Sequence, residues 1–435
     1  MNKCIYCDEN KPFTDEHVVC AGLGGDDKNW LLKDCVCGDC NTKVFSKLEA
    51  AFLRSSPVAI ARLFNQEKTR GHSPSLNTSQ SLLEDPRQGV FLNQELQQGF
   101  KPVILPQIVL KTAGTLLAYS PNVEAWREFQ SVLQRATSSA PILLRKVNIK
   151  PEVRFERTWL TWDAEREDFT VSRFETTATS PKQTDGVVWV EELVMPPTAG
   201  SACKLTPCVY RRSKGELVCA VVNIDDVTRV LTHLRRNGCI LTVPDDAVST
   251  EVVDYGVHLT FKMPVDVHDR VMTKIAINLV AHQFGPEFVR RPEFAAAKNY
   301  ALTKTGRILK INSEKHRWNR IGMSGLLPGT HMFCIAAANS GNDDTRLLSV
   351  MASLYEGPLE SFAVAELPKG APELKEPIVV FVFYNENRIE RLSMNELQQL
   401  TESEAKLHRL TKVGCKIHRC GLKCGACATP AIQTA

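Results

Sequence analysis

The sequence predicts an α+β protein, with a small cysteine-framed module at the N-terminus and a larger mixed body with antiparallel sheet behind it. Three observations carry that expectation. Strand-length runs of β-branched and aromatic residues, punctuated by Gly, Pro, Asn and Asp, recur through residues 101–393. Two segments of that body show clear helical periodicity. Six of the 15 cysteines fall within the first 40 residues, in a piece too small to bury much apolar core on its own.

The elements follow in chain order. After Cys40, the residues Val44, Phe45, Leu48, Ala51 and Phe52 recur at helical spacing, and Ser56–Pro57 restarts a helix that runs to Phe64. Residues 65–100 are polar and rich in Ser, Gln, Asn and Gly, and read as a linker or long surface loop. Strands are expected at Val153–Phe155, Thr158–Trp162, Phe169–Phe174, Val187–Val194, Leu217–Val222 and Val257–Phe261. One helix starts at Asp225–Asp226 and stops at Asn237–Gly238. A second runs from about Val265 to Gln283 with Val271, Ile275, Leu279 and Val280 on one face. Further strands are expected at His331–Ala338, Leu347–Leu354 and Ile378–Tyr384, and a polar helix from about Met394 leads into a Cys-rich tail. The expected domains are 1–64, the linker 65–100, the body 101–393 and the segment 394–435.

Bulk properties narrow the class. The chain has 435 residues, which suggests two or three domains, and its 43% apolar and 23% charged content is ordinary for a globular protein. A net charge of +4 neither demands nor excludes a nucleic-acid partner. No run approaches the roughly 20 apolar residues of a membrane span, and MNKCIYCDENK has no apolar core of a secretory signal. The expected setting is the reducing cytoplasm, without a membrane partner, where close cysteine pairs read as metal sites rather than disulfides.

Cys4-x2-Cys7 and Cys37-x2-Cys40 have the spacing of a tetrahedral thiolate zinc site, with a 29-residue insert between them. Within and just after that frame the order is Glu16–His17, then Gly22-x-Gly24–Gly25, then Asn29, then Asn41 directly after Cys40. The matching stretches are CIYC, FTDEHVV, GLGG, KNW and CGDCNTK. As an ordered set, over residues 4 to about 50, this resembles the zinc-stapled subgroup of the HNH endonuclease family. The resemblance implies a ββα-metal finger, with Glu16 and His17 on the first strand and Asn41 on the helix. It also implies two metals: a structural zinc on the four cysteines, and a catalytic cation, magnesium or another divalent ion, held by Glu16 and Asn41.

The implied reaction is hydrolysis of DNA phosphodiester bonds. Histidine titrates near neutrality, so a neutral imidazole at His17 suits the general base. The resemblance gives Asn29 the part of orienting His17, and the cation that of stabilising the leaving 3′ oxygen. Lys43 and Lys47, on the following helix, are candidate phosphate contacts on double-stranded DNA. Three positions depart from the commoner family pattern: Glu16 stands where Asp is usual, the run Val18–Val19–Cys20–Ala21 has no proline where one is frequent, and Asn41 is a weaker ligand than His. The alternative function is a zinc-stapled DNA-binding and recruitment protein that does not cut.

Other cysteines and histidines carry less. Cys20 and Cys35 lie inside the frame without a partner pattern and read as bystanders, with Cys35, close to Cys37, as an alternative ligand. Cys415, Cys420, Cys424 and Cys427, with His418, offer a second metal set or a frayed tail. His258, His268, His282 and His331 show no companion pattern and read as core or surface residues. The segment KIAINLVAHQFGPEFVRRPEFAAAKNYALTKTGR resembles a region that follows this kind of finger in bacterial proteins and has no assignable chemistry of its own. Oligomeric state has no signature in the sequence.

Overall fold

The computed structural model describes residues 3–393, 395–397 and 399, apart from 68–73, 75, 98–100, 112–114, 150–151, 180–185, 196–201, 238–243, 262, 265, 307, 312–326, 340–343 and 369–375. The chain is mixed α+β with mainly antiparallel sheets, as expected, and divides into two compact units. The division differs from the expected one. Residues 1–53, 65–73 and 264–435 form one unit, and 54–64 with 74–263 form the other. The body 101–393 is therefore split, and its C-terminal part belongs with the cysteine module.

The second unit is built on an eight-stranded sheet. Strand Leu217–Val221 lies inside it and is buried on both faces. Leu217, Cys219 and Val221 enter a core with the helices Val123–Ser138 and Val227–Asn237. Val218 and Ala220 enter the opposite core, against a four-stranded sheet. The two-residue period of a strand explains this division. Strand Val187–Glu192 pairs parallel with both its neighbours, an exception to the antiparallel pattern.

The linker expected at 65–100 is corrected over part of its length. Gln80–Asp85 and Val90–Gln97 form an antiparallel pair in the four-stranded sheet. Its turn hides it in the sequence: Asp85 Oδ1 accepts from the Arg87 and Gln88 amides, and Gly89 takes φ +65°. Leu82 and Phe91 then bury on one side, and Leu83, Val90 and Leu92 on the other. Helix Val123–Ser138 also goes beyond the sequence expectation. Asn122 caps it by accepting from the Ala125 amide, and Trp126, Phe129, Leu133 and Ala136 form its buried stripe.

The first unit contains a six-stranded antiparallel sheet and the helix Asp266–Phe284. That helix is buried over nearly every residue from Val271 to Ala281, polar ones included, which is the pattern of a central helix. The polar helix expected from about Met394 is described only at 395–397 and 399. The cysteine tail, with Cys415, Cys420, Cys424, Cys427 and His418, lies outside the described residues.

His331, on the strand Thr330–Asn339, is fully buried between the rings of Tyr355 and Tyr384. Its Nδ1 accepts from the Tyr355 amide, and burial lowers its pKa to about 3. The unfolded chain then binds a proton that the folded chain does not, between about pH 6.5 and pH 3. Stability is expected to fall with pH across that window by up to about 1.4 kcal/mol per unit from this residue alone. His331→Phe should flatten the acid limb of a stability–pH curve measured by urea unfolding. An unchanged slope would show that His331 is not the residue responsible.

Candidate functional site

The cysteine frame closes as the spacing predicts. The sulfur atoms of Cys4, Cys7, Cys37 and Cys40 all lie within 4.8 Å of one another, a set that can hold a metal ion such as zinc. The Cys37 amide donates to Cys4 Sγ at 3.4 Å. Hydrogen bonding from Cys40, with help from backbone amides, draws the Cys4 thiol down to about 4. Burial pushes Cys7 up to about 11, and hydrogen bonding to Cys4 pushes Cys40 up. Four thiols this close resist becoming four thiolates, and a bound dication supplies the charge that permits it. Cys35 is not part of the set: its thiol donates to the Lys33 carbonyl. Cys20 is buried beside Glu49.

Between the knuckles, Phe13–His17 pairs antiparallel with Leu31–Cys37, with an irregularity between Thr14 and Glu16. The chain then winds as a π-helix over Asp39–Phe45 and continues as an α-helix over Ser46–Ser55. The glycines after the first strand are required. A Cβ on Gly25 would meet the Val19 carbonyl at 2.1 Å, and Gly24, at φ +84°, lies against the Tyr384 backbone.

Glu16 and His17 are neighbours on a strand, and successive strand side chains point to opposite faces. His17 turns outward with 26% of its side chain exposed, and Glu16 turns inward with 3%. Inside, Glu16 forms an ion pair with Lys274 of the Asp266–Phe284 helix and accepts from Asn278 Nδ2 at 3.2 Å. This corrects the expectation that Glu16 is a cation ligand beside His17. Its carboxylate is neutralised by an internal lysine and faces away from the open side.

Asn29 also has a different role from the one expected. Its backbone and side-chain amides both reach the Asp26 carboxylate, and its carbonyl lies 3.2 Å from His282 Nε2. The acid at the His17 ring is Asp27, with Oδ1 2.6 Å from Nε2. Asn41 does stand beside the first strand: its Nδ2 donates to Thr14 Oγ1 at 3.1 Å and to the Asp15 carbonyl at 3.0 Å. Both bonds use the amide nitrogen and neither uses the oxygen. Lys43 is exposed but engaged by Asp39, which also meets Lys11, so its charge is partly offset. Lys47 is exposed on the helix.

Of the two residues assigned to the catalytic cation, Glu16 is paired with Lys274, and Asn41 bonds through its amide nitrogen. Among the described residues, the four cysteines are the single group of three or more Cys, His, Asp or Glu side chains placed to hold a metal.

The residues that sequence reading passed over lie on the central helix. Lys274, Asn278 and His282 recur every four residues and line one stripe. Lys274 meets Glu16 and Glu49, Asn278 meets Glu16 and the His17 carbonyl, and His282 stacks on Trp30 with ring centroids 4.3 Å apart. Three polar residues at helical spacing inside KIAINLVAH were the available signal.

No described helix is long and apolar enough to cross a membrane. Comparison with family models, curated proteins and solved structures finds no match to this chain.

Proposed function

We propose that the N-terminal module is the working part of an HNH-type endonuclease, a phosphodiester hydrolase acting on double-stranded DNA, with His17 as general base. The observation that carries this is an outward-facing histidine with a carboxylate 2.6 Å from its ring, on a hairpin clamped by four cysteines. The ordered motif set from CIYC to CGDCNTK supports the same reading. Clamping matters because base catalysis depends on holding the imidazole within hydrogen-bond reach of the attacking water.

In this mechanism His17 takes a proton from water, the oxygen of that water forms a bond to phosphorus, and the bond to the 3′ oxygen breaks, the departing oxygen taking a proton from solvent water. The products carry a 5′-phosphate and a 3′-hydroxyl. A divalent cation, when present in such a reaction, stabilises the departing oxygen. Because Glu16 is committed to Lys274, no step here is assigned to that ion.

The same commitment of Glu16 favours a second reading, a DNA-binding module that recruits without cutting. One experiment separates the two. Supercoiled plasmid is incubated with the protein and magnesium, beside His17→Ala. The nuclease reading expects nicking that falls at least about a hundredfold in the variant, with metal content unchanged. Plasmid binding without cleavage, equal in both proteins, selects the recruitment reading.

A further inference from the structure

We propose that Asp27 is the positioning residue for His17: it accepts the Nε2–H hydrogen bond, fixes the imidazole in one tautomer and leaves the Nδ1 lone pair to act as the base. This rests on the nuclease reading for its catalytic consequence, and on geometry for the rest.

The contact itself is short and direct, 2.6 Å between His17 Nε2 and Asp27 Oδ1. An ionised carboxylate only accepts, so the ring nitrogen facing it carries the proton. The opposite nitrogen of a neutral imidazole then has the lone pair. Asp27 is 53% exposed, and such a side chain ordinarily wanders, but its backbone is fixed from both sides. On one side Asp26 is buried and accepts from the Lys28 amide at 2.7 Å and the Asn29 amide at 3.0 Å, closing a tight turn around Asp27. On the other, Trp30 is buried against His282, and its carbonyl accepts from the Val18 amide at 3.0 Å, one residue after His17. The turn that bears the acceptor and the strand that bears the base are thus tied together by backbone.

The charge sign agrees with the chemistry. When His17 takes the proton of water on Nδ1, the ring becomes a cation with both nitrogens protonated, and a carboxylate already bonded to Nε2–H stabilises it. The water O–H bond breaks as the Nδ1–H bond forms, and its electron pair goes to phosphorus. Asp27 exchanges no proton.

The test uses the full chain and two readouts. Nitrogen-15 NMR of the histidine rings, with the His17 signals assigned by their loss in His17→Gln, reports the tautomer. The wild type should show the Nε2–H form, and Asp27→Ala should move His17 toward a mixture. In the plasmid assay, Asp27→Ala should lower kcat about a hundredfold with KM within about threefold. Asp27→Asn, which keeps an acceptor oxygen without the charge, should fall between them. An unchanged tautomer in Asp27→Ala overturns the proposal whether or not the protein cuts DNA. A wild type with the Nε2–H form and no cleavage keeps Asp27 as the positioning residue and overturns the nuclease reading instead. Unchanged kcat in Asp27→Ala, with a cutting wild type, overturns the catalytic consequence.

Discussion

Stripping the metal with a chelator is expected to unfold residues 3–53 and to destabilise the rest of their unit with them. A structural zinc contributes roughly 10–16 kcal/mol to small modules that fold around it. The local structure of this segment supplies little on its own: its hairpin has two strands of five and seven residues, and an isolated two-stranded hairpin is marginal in water. The loss would reach further than the finger. Ile5, Tyr6, Val18, Val19 and Leu23 are buried, and the Tyr6 hydroxyl lies 2.7 Å from Asn278 Oδ1 and 3.1 Å from the Lys274 carbonyl. Unfolding the finger would open this face of the central helix to water. Cys37→Ser should act like the chelator, and His17→Ala should not. Limited proteolysis with metal analysis checks this: the expected pattern is rapid cleavage within residues 3–53 for the metal-free protein and for Cys37→Ser, with wild-type resistance for His17→Ala. Equal resistance in all four samples would show that the cluster does not hold the finger together.

The metal frame was legible because thiolate coordination imposes strict local spacing, and Cys-x2-Cys is short enough to read without knowing the fold. Strands at Thr158–Trp162 and Leu217–Val222 were legible for a related reason: alternation and β-branched content are local properties. Asn29 and Glu16 were not. Both sit in a local pattern that fits one role, but each is engaged by a partner outside that pattern. Glu16 is claimed by Lys274, 258 residues further along the chain, and Asn29 by an aspartate three residues before it that closes its own turn. The side a strand residue faces also depends on what packs behind the strand, which no motif contains. Asp27 was missed because it lies in an acidic pair, Asp26–Asp27, that reads as a solvated turn. Only the folded hairpin separates the two, burying Asp26 as a cap and turning Asp27 to His17. The 80–97 hairpin failed for the opposite reason: its apolar residues were present, but a polar four-residue turn dominated the composition.

Lys274→Met is expected to destabilise the protein by about 3–5 kcal/mol, the range for removing one partner from a buried ion pair. Lys274 is 1% exposed, and its ammonium meets Glu16 directly and Glu49 at 2.5 Å. Burial opposes the charged lysine, but the two carboxylates more than offset it, so Lys274 is held well above the usual lysine range and stays protonated. Methionine nearly matches the side chain in shape, so packing changes little. What changes is electrostatic: two carboxylates, one of them 3% exposed, lose their shared cation. Adding Glu16→Gln to Lys274→Met should recover about half the loss, since one buried charge goes with its partner, and the two changes should not be additive. Urea unfolding of the wild type, both single variants and the double variant forms the cycle. Additivity within about 0.5 kcal/mol would deny the coupling. The same four proteins decide what Glu16 does. If it anchors the strand to the central helix, Glu16→Gln lowers stability and the double variant regains part of it together with activity. If Glu16 instead serves the reaction as a cation ligand, Glu16→Gln loses cleavage at full stability, and Lys274→Met restores nothing. The ion pair with Lys274 predicts the first outcome, because a carboxylate already neutralised in the interior has little to offer a metal on the opposite face of the strand.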